Sequence, residues 1–562
     1  NIDSETGKGT AHLRYILDIG NDKCDRYKLV IDGVCGDSKF HVEHIPWFVS
    51  NRVGFEIEHC KLWNIRGRGE QNLYDVTVTL MRDDEPQDSK SFRFGFRNVY
   101  LENSEIIDDR GNGEFRFYVN DEPIFVMGTN WVPADMFHSR DKERISEILK
   151  LAADCGCNAI RCWGGNVYED DLFYDLCDEL GIMVWQDFAM ACGTYPQDER
   201  MQKMIEEEAT AVVRRLRQHP CICLWAGDNE CDIMQMATRD PKLNILTRQI
   251  LPQVINRHDG TRQYLPSSPY VSDKAYKGDR SKLAEQHLWG PRDRFKGEYY
   301  SKAEACFASE IGYHGCPSPD SVVKFIDKEY LWPPQNNKHW ILHCTSPEYP
   351  NGEFAYRVEL MLTQIRNLFG ANADNLESFA SMSQISQAEA DKYFIERFRI
   401  NKNRCGGILW WNIMDCWPQF SDAVVDYYFV KKLAYYYIKA SQQQFCIAMD
   451  DGDGNLKGYA LNDYPCEVKV RYTVTDTESG ETAAKGECNI AADKTESLFA
   501  VKKPENNNFY KIEWTVESVD ERTVTERNGI NHYLSFDDTI DFKWYIERMK
   551  SIPKYKFEGF GD

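Results

Sequence analysis

The sequence lacks the features that mark membrane proteins, nucleic-acid-binding proteins and repeat proteins. It has no apolar run of the roughly 18 to 20 residues that a membrane span requires, so we expect no membrane partner. Its 89 acidic residues outnumber 67 basic ones, which gives a formal net charge of −22 at pH 7, and no strong basic patch is present. Nucleic acid is therefore not expected as a partner. Internal repeats, low-complexity tracts and long flexible linkers are also lacking.

Cysteine is abundant, but it lacks the spacing of a zinc site. The 19 cysteines include no Cys-x-x-Cys motif, and no Cys/His cluster has metal-ligand spacing, so we predict no metal. Most cysteines lie in apolar runs such as "CICLW", where cysteine acts as a small hydrophobic residue. Reduced, buried thiols slightly favour the cytoplasm. The chain starts at Asn1, without Met and without a signal-peptide pattern. We therefore expect that residues before Asn1 have been removed, and the cellular compartment stays undetermined.

A chain of 562 residues is too long for one hydrophobic core, and its sequence pattern changes twice. Residues 1–100 contain short alternating apolar runs separated by turn residues, which predicts an antiparallel β-sandwich. Residues 101–440 contain eight strand candidates, several of which alternate with amphipathic helices, and this predicts a central (β/α)8 barrel. Residues 441–562 return to alternating strands and predict a C-terminal sandwich-like domain. The predicted fold class is multidomain.

Helices are expected between the barrel strands at 140–156, 169–181, 198–220 and 241–260, where apolar residues recur with helical spacing. A long insertion at 315–375 separates the seventh and eighth strands and contains Trp332 and Trp340. Loops of that length are usually functional or disordered.

The carboxyl ends of the predicted barrel strands carry polar side chains and tryptophans. In such barrels these ends meet at one face, where catalytic groups gather. The side chains at this position are Asn130 and Trp131 on the first strand, Arg161 and Trp163 on the second, Asp187 on the third, Asp228, Asn229 and Glu230 on the fourth, His287 and Trp289 on the sixth, Glu310 on the seventh, and Trp411, Asn412 and Asp415 on the eighth. Such a set suits a polyhydroxylated ligand, because aromatic rings stack on flat apolar faces.

Two carboxylates of this set, Glu230 and Glu310, lie on strands four and seven, across the barrel mouth from each other. Glycoside hydrolysis needs such a pair, in which one acid protonates the leaving oxygen and the other stabilises or attacks the anomeric carbon. A separation of about 5–5.5 Å indicates retention and about 6.5–9.5 Å inversion, and the sequence leaves both open. Either glutamate alone is equally well explained as an ion-paired structural acid, whereas the pair in this neighbourhood favours catalysis.

Five segments then carry a resemblance to glycoside hydrolase family 2, in its β-mannosidase-like branch. They are "GTNWVPADMF" (128–137), "NAIRCWGGNVYEDDLFYDLCDELGIMVWQDFAMACGTYP" (158–196), "RRLRQHPCICLWAGDNE" (214–230), "FASEIG" (307–312) and "LWWNIMDCWP" (409–418). Upstream, "LWNIRGRGEQNLYDVTV" (62–78) is similar to the end of that family's immunoglobulin-like domain. The resemblance spans about residues 50 to 440.

This resemblance implies a retaining exo-β-glycosidase that acts on terminal β-D-mannosides and uses no cofactor. It implies Glu230 as the acid/base and Glu310 as the nucleophile. Asn229 matches the residue that holds the sugar's 2-hydroxyl, and Trp411 matches the aromatic floor of the subsite. The remaining residues at the strand ends are predicted to bind the carbohydrate substrate.

The proposed division of roles sets expectations for charge. Arg161 is the candidate that keeps Glu310 ionised, because its own charge is permanent. The pKa of Glu230 is expected to be raised by apolar walls and by the charge of Glu310. His287 is expected to bind substrate or to support the site rather than a metal. Asp187 either binds a sugar hydroxyl or pairs with Arg161.

Several departures from the family's pattern leave the sugar open. Asp228 stands where Asn is usual, "WWN" (410–412) replaces a string similar to "YWQ", and no Ser-Trp follows Pro418. The alternatives are β-glucosaminide, for which an acid at Asp228 is a weak argument, β-galactoside and β-glucuronide. The family's N-terminal sugar-binding domain is absent before Asn1, so a non-catalytic carbohydrate-binding fragment is a further alternative. Ser267 and Ser268 lack a nucleophile-elbow pattern, which disfavours a serine hydrolase.

Overall fold

A computed structural model describes residues 2–3, 6–236, 240–344, 357–452, 454–519, 524 and 527–561, with the side chains of 234–236 excepted. It contains two antiparallel sandwiches with a barrel of parallel strands between them. None of the helices within these ranges combines the length and apolar character of a membrane span. The domain boundaries near residues 100 and 440 stay predictions.

The first block is a sandwich of seven strands, as its alternating pattern predicts. One sheet has the order β1-β2-β5 and the other has the order β4-β3-β6-β7. Their bounds are β1 Ile2–Asp3, β2 Lys8–Ile16, β3 Tyr27–Cys35, β4 Ser38–His44, β5 Ser50–Ile57, β6 Tyr74–Arg82 and β7 Glu85–Phe94. Ile31, Tyr74 and Phe96 are among the buried residues between the sheets.

A small antiparallel sheet leads into the barrel. Its strands are β8 Val99–Asn103, β9 Phe115–Val119 and β10 Glu122–Ile124. Phe115 on β9 contacts Phe307, with ring centroids 4.9 Å apart, and it also stacks on Trp185 at 5.8 Å. Because Phe307 begins a barrel strand, this sheet packs at the amino-terminal end of the barrel, opposite the face that carries the candidate site.

All eight predicted barrel strands are present and parallel. Their bounds are β11 Val126–Trp131, β12 Ala159–Cys162, β13 Met183–Asp187, β14 Ile222–Ala226, β15 Gln263–Leu265, β16 Glu285–His287, β17 Phe307–Ile311 and β18 Gly407–Trp410. The sheet order is β15-β14-β13-β12-β11-β18-β17-β16, so the last strand pairs with the first, as in a (β/α)8 barrel.

Helices surround these strands. Their bounds are α1 Asp141–Asp154, α2 Asp171–Leu180, α3 Glu199–Leu216, α4 Cys231–Met236, α5 Leu251–His258, α6 Asp273–Lys277, α7 Glu298–Ser301, α8 Pro319–Val322, α9 Lys338–Leu342, α10 Arg357–Phe369, α11 Leu376–Ile400, α12 Leu433–Ser441 and α13 Phe542–Met549. The start of α2 is capped by Asp170, whose side chain accepts from the Leu172 N–H, and Gly181 ends the helix with a φ of 68°.

The helix predicted over 241–260 is the one that the structure breaks up. A 3₁₀ turn at Pro241–Leu243 and a π-helix at Leu246–Ile250 precede α5. Pro252 has no backbone N–H and its ring crowds the carbonyl four residues earlier. The widened π turn accommodates this proline at the start of α5.

The insertion predicted over 315–375 is mostly helical where it is described, and residues 345–356 lie outside the described part. Trp340 is fully buried and stacks on Phe420, with ring centroids 4.3 Å apart. Trp332 packs edge-on against Phe379 at 6.2 Å. Both tryptophans therefore pack against other aromatic side chains and do not lie in an open loop.

The C-terminal block has two antiparallel sheets, ordered β19-β20-β23 and β22-β21-β24-β25. The strands are β19 Phe445–Gly452, β20 Asn455–Asn462, β21 Val468–Asp476, β22 Thr482–Ile490, β23 Thr495–Lys502, β24 Asn508–Ser518 and β25 Asn528–Ser535. The block meets the barrel through α11, where Arg399 donates to Asp463 at 2.6 Å.

Candidate active site

Arg161 is the centre of the candidate site. It lies on β12 in register with Asn130 on β11, and its side chain is fully buried inside the barrel. Its guanidinium donates to Glu310 at 2.7 Å, Asn229 at 2.7 Å and Asn130 at 3.0 Å. It also donates twice to Asp187, at 2.7 and 3.4 Å. All five N–H groups of the guanidinium are thus used to join four strands.

Glu310 is oriented by two donors. One oxygen accepts from Arg161 Nη1 and the other from Trp289 Nε1, each at 2.7 Å. His287 pairs with Glu310 in the β16–β17 register, after a shift between Gln286 and His287. The His287 Nδ1 atom lies 3.4 Å from the second Glu310 oxygen. The donors on both oxygens fix the orientation of this carboxylate.

Glu230 follows the end of β14 and has a φ of 58°. Its Oε1 lies 2.7 Å from His287 Nδ1, and its Oε2 accepts from the Cys192 thiol at 3.4 Å. Burial acts to raise the pKa of Glu230, but the hydrogen bond and positive charge of His287 outweigh it and hold this pKa below its ordinary value. The expectation of a raised pKa was wrong, because the sequence did not place an imidazole against this carboxylate.

His287 connects both glutamates. Burial acts to lower its pKa, but the charge of Glu310 and the hydrogen bond with Glu230 outweigh burial and raise the pKa. On the other side of the ring, Nε2 lies 3.1 Å from the Ser268 hydroxyl. The imidazole therefore sits between two carboxylates and a serine, in a position to hold a proton for either glutamate.

The two candidate carboxylates are close together. One oxygen of Glu230, one of Glu310 and a ring nitrogen of His287 all lie within 4.8 Å of one another. Such spacing also fits a metal ion, but Arg161 and Trp289 already donate to Glu310. A neighbouring guanidinium opposes a second cation, so the cluster is better suited to proton transfer.

A second group with metal-compatible spacing lies away from this cluster and is formed by Asp175, Asp178 and His219. Asp178 already accepts from the Cys221 N–H at 2.9 Å and pairs with His219 Nδ1 at 2.7 Å. These hydrogen bonds give the group a structural role at the end of α2.

Three half-buried tryptophans lie beside the carboxylates. Trp163 and Trp411 meet edge to face with centroids 5.3 Å apart, and Trp289 meets Trp411 at 6.2 Å. Asn229 also belongs to this group, since its amide oxygen accepts from Arg161 and its nitrogen donates to the Cys192 sulfur at 3.3 Å. Aromatic faces and amide groups next to two carboxylates form a surface suited to a sugar ring.

Other predicted site residues support the cluster from behind. Asn130 donates to the Ser309 carbonyl at 2.9 Å. Asp187 is buried and accepts from Arg161, Trp185 and the Gly164 N–H, so the predicted pairing with Arg161 is present. Burial raises the pKa of Asp187 to about 6, although Arg161 opposes this rise.

Trp131 and Asp228 do not lie in the cluster. Trp131 is buried, packs on Phe173 of α2 and donates to Glu169 at 2.8 Å, so it faces the helix layer. Asp228 is fully buried and accepts from the Ser267 hydroxyl at 2.5 Å. Both side chains therefore lie outside the cluster that sequence analysis assigned them to, and Trp131 does so because side chains of a strand alternate between its two faces.

Asn412 and Asp415 also bond within their own segment. Asn412 is buried and donates to the Met414 carbonyl at 3.1 Å. Asp415 accepts from Ser421 at 2.6 Å and Gln419 at 2.7 Å, and burial raises its pKa to about 6. Both shape the chain that follows β18, and none of these hydrogen bonds joins them to the two glutamates.

Sequence reasoning missed three residues around Glu230, namely Cys192, Ser268 and Glu285. Cys192 lies in the segment after β13 and touches Glu230 and Asn229. Ser268 lies beside Glu230, whose N–H donates to the Ser268 carbonyl at 2.9 Å. Glu285 lies two residues before His287 on β16, and this spacing was the available signal, because such residues share one face of a strand.

Comparisons with known proteins agree with this geometry. The model of glycosyl hydrolases family 2 matches residues 6–97, and the model of that family's TIM barrel domain matches residues 113–264. Beta-mannosidase B from Aspergillus clavatus is 31% identical over 414 residues, which cover 69% of this chain and 47% of that protein. The chain thus spans about half the length of the curated relatives it matches.

Solved structures extend the similarity over nearly the whole chain. The beta-D-mannosidase from Dictyoglomus thermophilum superposes with a TM-score of 0.81 at 29% identity, covering 94% of this chain and 64% of that one. The exo-chitosanase of Amycolatopsis orientalis superposes with a TM-score of 0.69 at 16% identity, covering 95% and 62%, and so shares the fold alone. From its two matching domains and its relatives, the chain belongs to glycoside hydrolase family 2 and is similar to the family's β-mannosidases.

Proposed function

We propose that this chain carries the catalytic centre of a retaining exo-β-glycosidase that hydrolyses terminal β-D-mannosides. The observation that supports it most is the pair of carboxylates, Glu230 and Glu310, with oxygens within 4.8 Å of each other beside His287. Oxygens this near to each other are compatible with the separation of about 5–5.5 Å between the carboxyl groups of retaining enzymes. The choice of a mannoside as the substrate is based on the relatives, which are named as beta-mannosidases.

In the first step, Glu310 attacks the anomeric carbon while Glu230 protonates the departing glycosidic oxygen. The bond from C1 to the aglycone breaks and a glycosyl ester forms on Glu310. Arg161 and Trp289 orient Glu310 for this attack, since they donate to its two oxygens. In the second step, Glu230 takes a proton from water, whose oxygen bonds to C1 and releases Glu310.

Proton supply in this scheme falls to Glu230 together with His287. The pKa of Glu230 lies below its ordinary value and that of His287 above it, so the pair shares one proton across their 2.7 Å contact. That proton is available to the leaving oxygen through Glu230. Esterification of Glu310 then removes its negative charge and favours release of the proton.

The test is hydrolysis of p-nitrophenyl β-glycosides of mannose, glucosamine, galactose, glucuronic acid and glucose. We expect turnover of the mannoside, loss of that turnover in Glu310→Ala, and a loss of about 100-fold or more in Glu230→Ala with substrates whose departure needs acid. Glu169→Ala is the matched control, because Glu169 is a buried glutamate that bonds Trp131 outside the cluster. NMR of the first sugar anomer released distinguishes retention from inversion.

Three results would contradict the proposal. Preferential turnover of another glycoside would contradict the mannoside as the substrate. Initial release of the α anomer would contradict the retaining mechanism. Carbohydrate binding that survives both glutamate substitutions, in a chain that hydrolyses none of the five glycosides, would favour the non-catalytic alternative. Asp228 no longer supports a β-glucosaminide as the substrate, because its side chain lies in a buried hydrogen-bond network with Ser267.

A further inference from the structure

A short chain of hydrogen bonds begins at Glu230. It leads from Glu230 Oε1 to His287 Nδ1 at 2.7 Å, and from His287 Nε2 to the Ser268 hydroxyl at 3.1 Å. Ser268 in turn donates to Glu285 Oε1 at 2.8 Å, and the Ser309 hydroxyl donates to the same oxygen. Ser268, Glu285 and Ser309 are buried, so water does not replace these contacts readily.

The direction of this chain decides where the imidazole carries its hydrogens. A serine hydroxyl has one hydrogen, and Ser268 gives it to Glu285. Its lone pair therefore faces His287, and Nε2 must carry a hydrogen to bond it. If the ring is neutral, Nδ1 then has no hydrogen of its own. In that case, a hydrogen bond between Nδ1 and Glu230 requires that the Glu230 carboxyl carries the proton.

This geometry makes loss of the shared proton unfavourable. Without it, the bare lone pair of His287 Nδ1 would face the Glu230 carboxylate at 2.7 Å. The ring could escape by moving its hydrogen from Nε2 to Nδ1, but Ser268 would then have to donate to Nε2 and leave Glu285. Loss of a hydrogen bond by a buried carboxyl is unfavourable, and Glu285 Oε2 already has no hydrogen-bond partner among the residues that the structure describes.

We infer that Ser268 and Glu285 are positioning residues, which hold the His287 hydrogen on Nε2 and thereby retain on the Glu230–His287 pair the proton that Glu230 donates to the leaving oxygen. This inference rests on the proposed function. Neither residue contacts a reacting atom in the scheme above. Their effect reaches the substrate through the protonation of Glu230.

The charged groups that face this pair are Glu310, Glu285 and Arg161. Glu310 and Glu285 favour a protonated His287, and Arg161 opposes it. The Cys192 thiol contacts the other Glu230 oxygen at 3.4 Å, and burial raises the pKa of this thiol to about 12, so it stays protonated at neutral pH. The chain through Ser268 is therefore the part of the surroundings that fixes the tautomer of His287.

The test compares leaving groups and pH. We expect Ser268→Ala to let His287 take the other tautomer, so that the upper limb of the kcat/KM–pH profile for methyl β-D-mannoside moves about one unit to lower pH. Above that limb, kcat/KM for this substrate falls about tenfold. The value for 2,4-dinitrophenyl β-D-mannoside falls less than about threefold, because its leaving group needs little protonation.

Glu285→Met is the second variant and is expected to give the same shift, since it frees the Ser268 hydroxyl to donate to Nε2. Ser267→Ala is the matched control. Ser267 is the adjacent, equally buried serine, but its hydroxyl donates to Asp228, so the ratio of the two substrates should stay as in the parent. Thermal unfolding of each variant checks that the fold is intact, and a Glu285→Met variant that fails to fold leaves Ser268→Ala decisive.

Several outcomes would overturn the inference. An upper limb that does not move in folded Ser268→Ala, or an equal loss on both mannosides, would mean that Ser268 acts by packing alone. The same shift in Ser267→Ala would show a general loosening of the loop. These outcomes differ from failure of the proposed function, in which the parent itself would hydrolyse neither mannoside.

Discussion

At the scale of single residues, the site is organised by buried charged side chains that contact several partners at once. Arg161 donates to Glu310, Asn229, Asn130 and Asp187, and its guanidinium has no N–H left for a ligand. Arg161 therefore orients Glu310 and Asn229. A lysine offers three donors on a flexible stem and cannot reproduce this planar arrangement.

Asp228 supports a prediction about stability and pH. Burial and the charge of Asp232 raise the pKa of Asp228 to about 8, from an ordinary value of 3.8. Between these two values the folded chain holds a proton that the unfolded chain does not, so this group's stabilisation is present at low pH and is lost as pH rises toward 8. Asp228→Asn carries no titrating proton. We therefore expect its Tm, relative to the parent, to increase from pH 5 to pH 8.5.

Thermal unfolding over this pH range measures the effect. The exposed Asp84→Asn variant is the control, because it removes the same kind of charge without burial. A difference in Tm between Asp228→Asn and the parent that stays constant with pH would mean that Asp228 is ionised in the folded protein throughout.

At the scale of secondary-structure elements, the ends of helices and strands set the contacts between the blocks. The end of α2 is an example, because the Gly181 carbonyl accepts from the Arg66 N–H of the first block at 2.8 Å. One turn earlier, the Asp178 carbonyl accepts from Trp63 Nε1 at 2.8 Å. The last turn of this helix is thus satisfied by the sandwich rather than by water.

Gly181→Ala tests this contact. A Cβ at Gly181 would lie 2.6 Å from the Arg66 nitrogen, and the φ of 68° is one that side chains disfavour. Gly111→Ala is the matched control, since its φ is 79° but nothing lies within 4 Å of the added carbon. We expect Gly181→Ala to lower Tm by several degrees more than Gly111→Ala does, and equal losses would show that only backbone strain matters.

At the scale of the whole molecule, α11 joins the barrel to the C-terminal block through buried charges. Arg399 and Lys402 both donate to Asp463, which follows β20, and Lys402 also donates to Asp493 at 2.6 Å. Burial acts to raise the pKa of Asp463, but the two cations outweigh it and hold this pKa well below its usual range. The two blocks are therefore held together by groups that must stay ionised.

Asp463→Asn is expected to weaken this junction strongly, because it leaves two cations without their shared buried partner. Removing one member of a buried pair costs about 3–5 kcal/mol. Asp493→Asn is the control, since the Asp493 side chain is 23% exposed and Lys402 keeps Asp463 as a partner. Calorimetry of both variants at pH 7 measures the loss, and similar Tm values would contradict a special role for Asp463.

The acid dependence of this junction has a definite sign. Because the pKa of Asp463 is lower in the folded chain, its contribution is present above the unfolded value near 4 and is lost as pH falls below it. The advantage of the parent over Asp463→Asn should therefore shrink when calorimetry is repeated at acid pH.

Much of this architecture follows from the sequence alone. Several barrel strands, such as the one that ends before Asp228, are short apolar runs between helical patterns, and such periodicity is local. The carboxyl ends of parallel strands must meet at one face, so Glu230 and Glu310 could be placed near each other although 80 residues separate them in the chain. The broken helix over 241–260 was missed because the effect of Pro252 depends on the turn around it.

The tertiary structure alone decided which side chains surround Glu230 and which face away. Trp131 and Asp228 stand at strand ends like their neighbours, yet they point into the helix layer and into a buried network. Cys192, His287 and Ser268 come from three separate segments to contact or flank Glu230. Side-chain direction at a strand end depends on local bends and register shifts, and a pKa depends on every charge within a few ångströms in space. Neither quantity is a property of the nearby sequence.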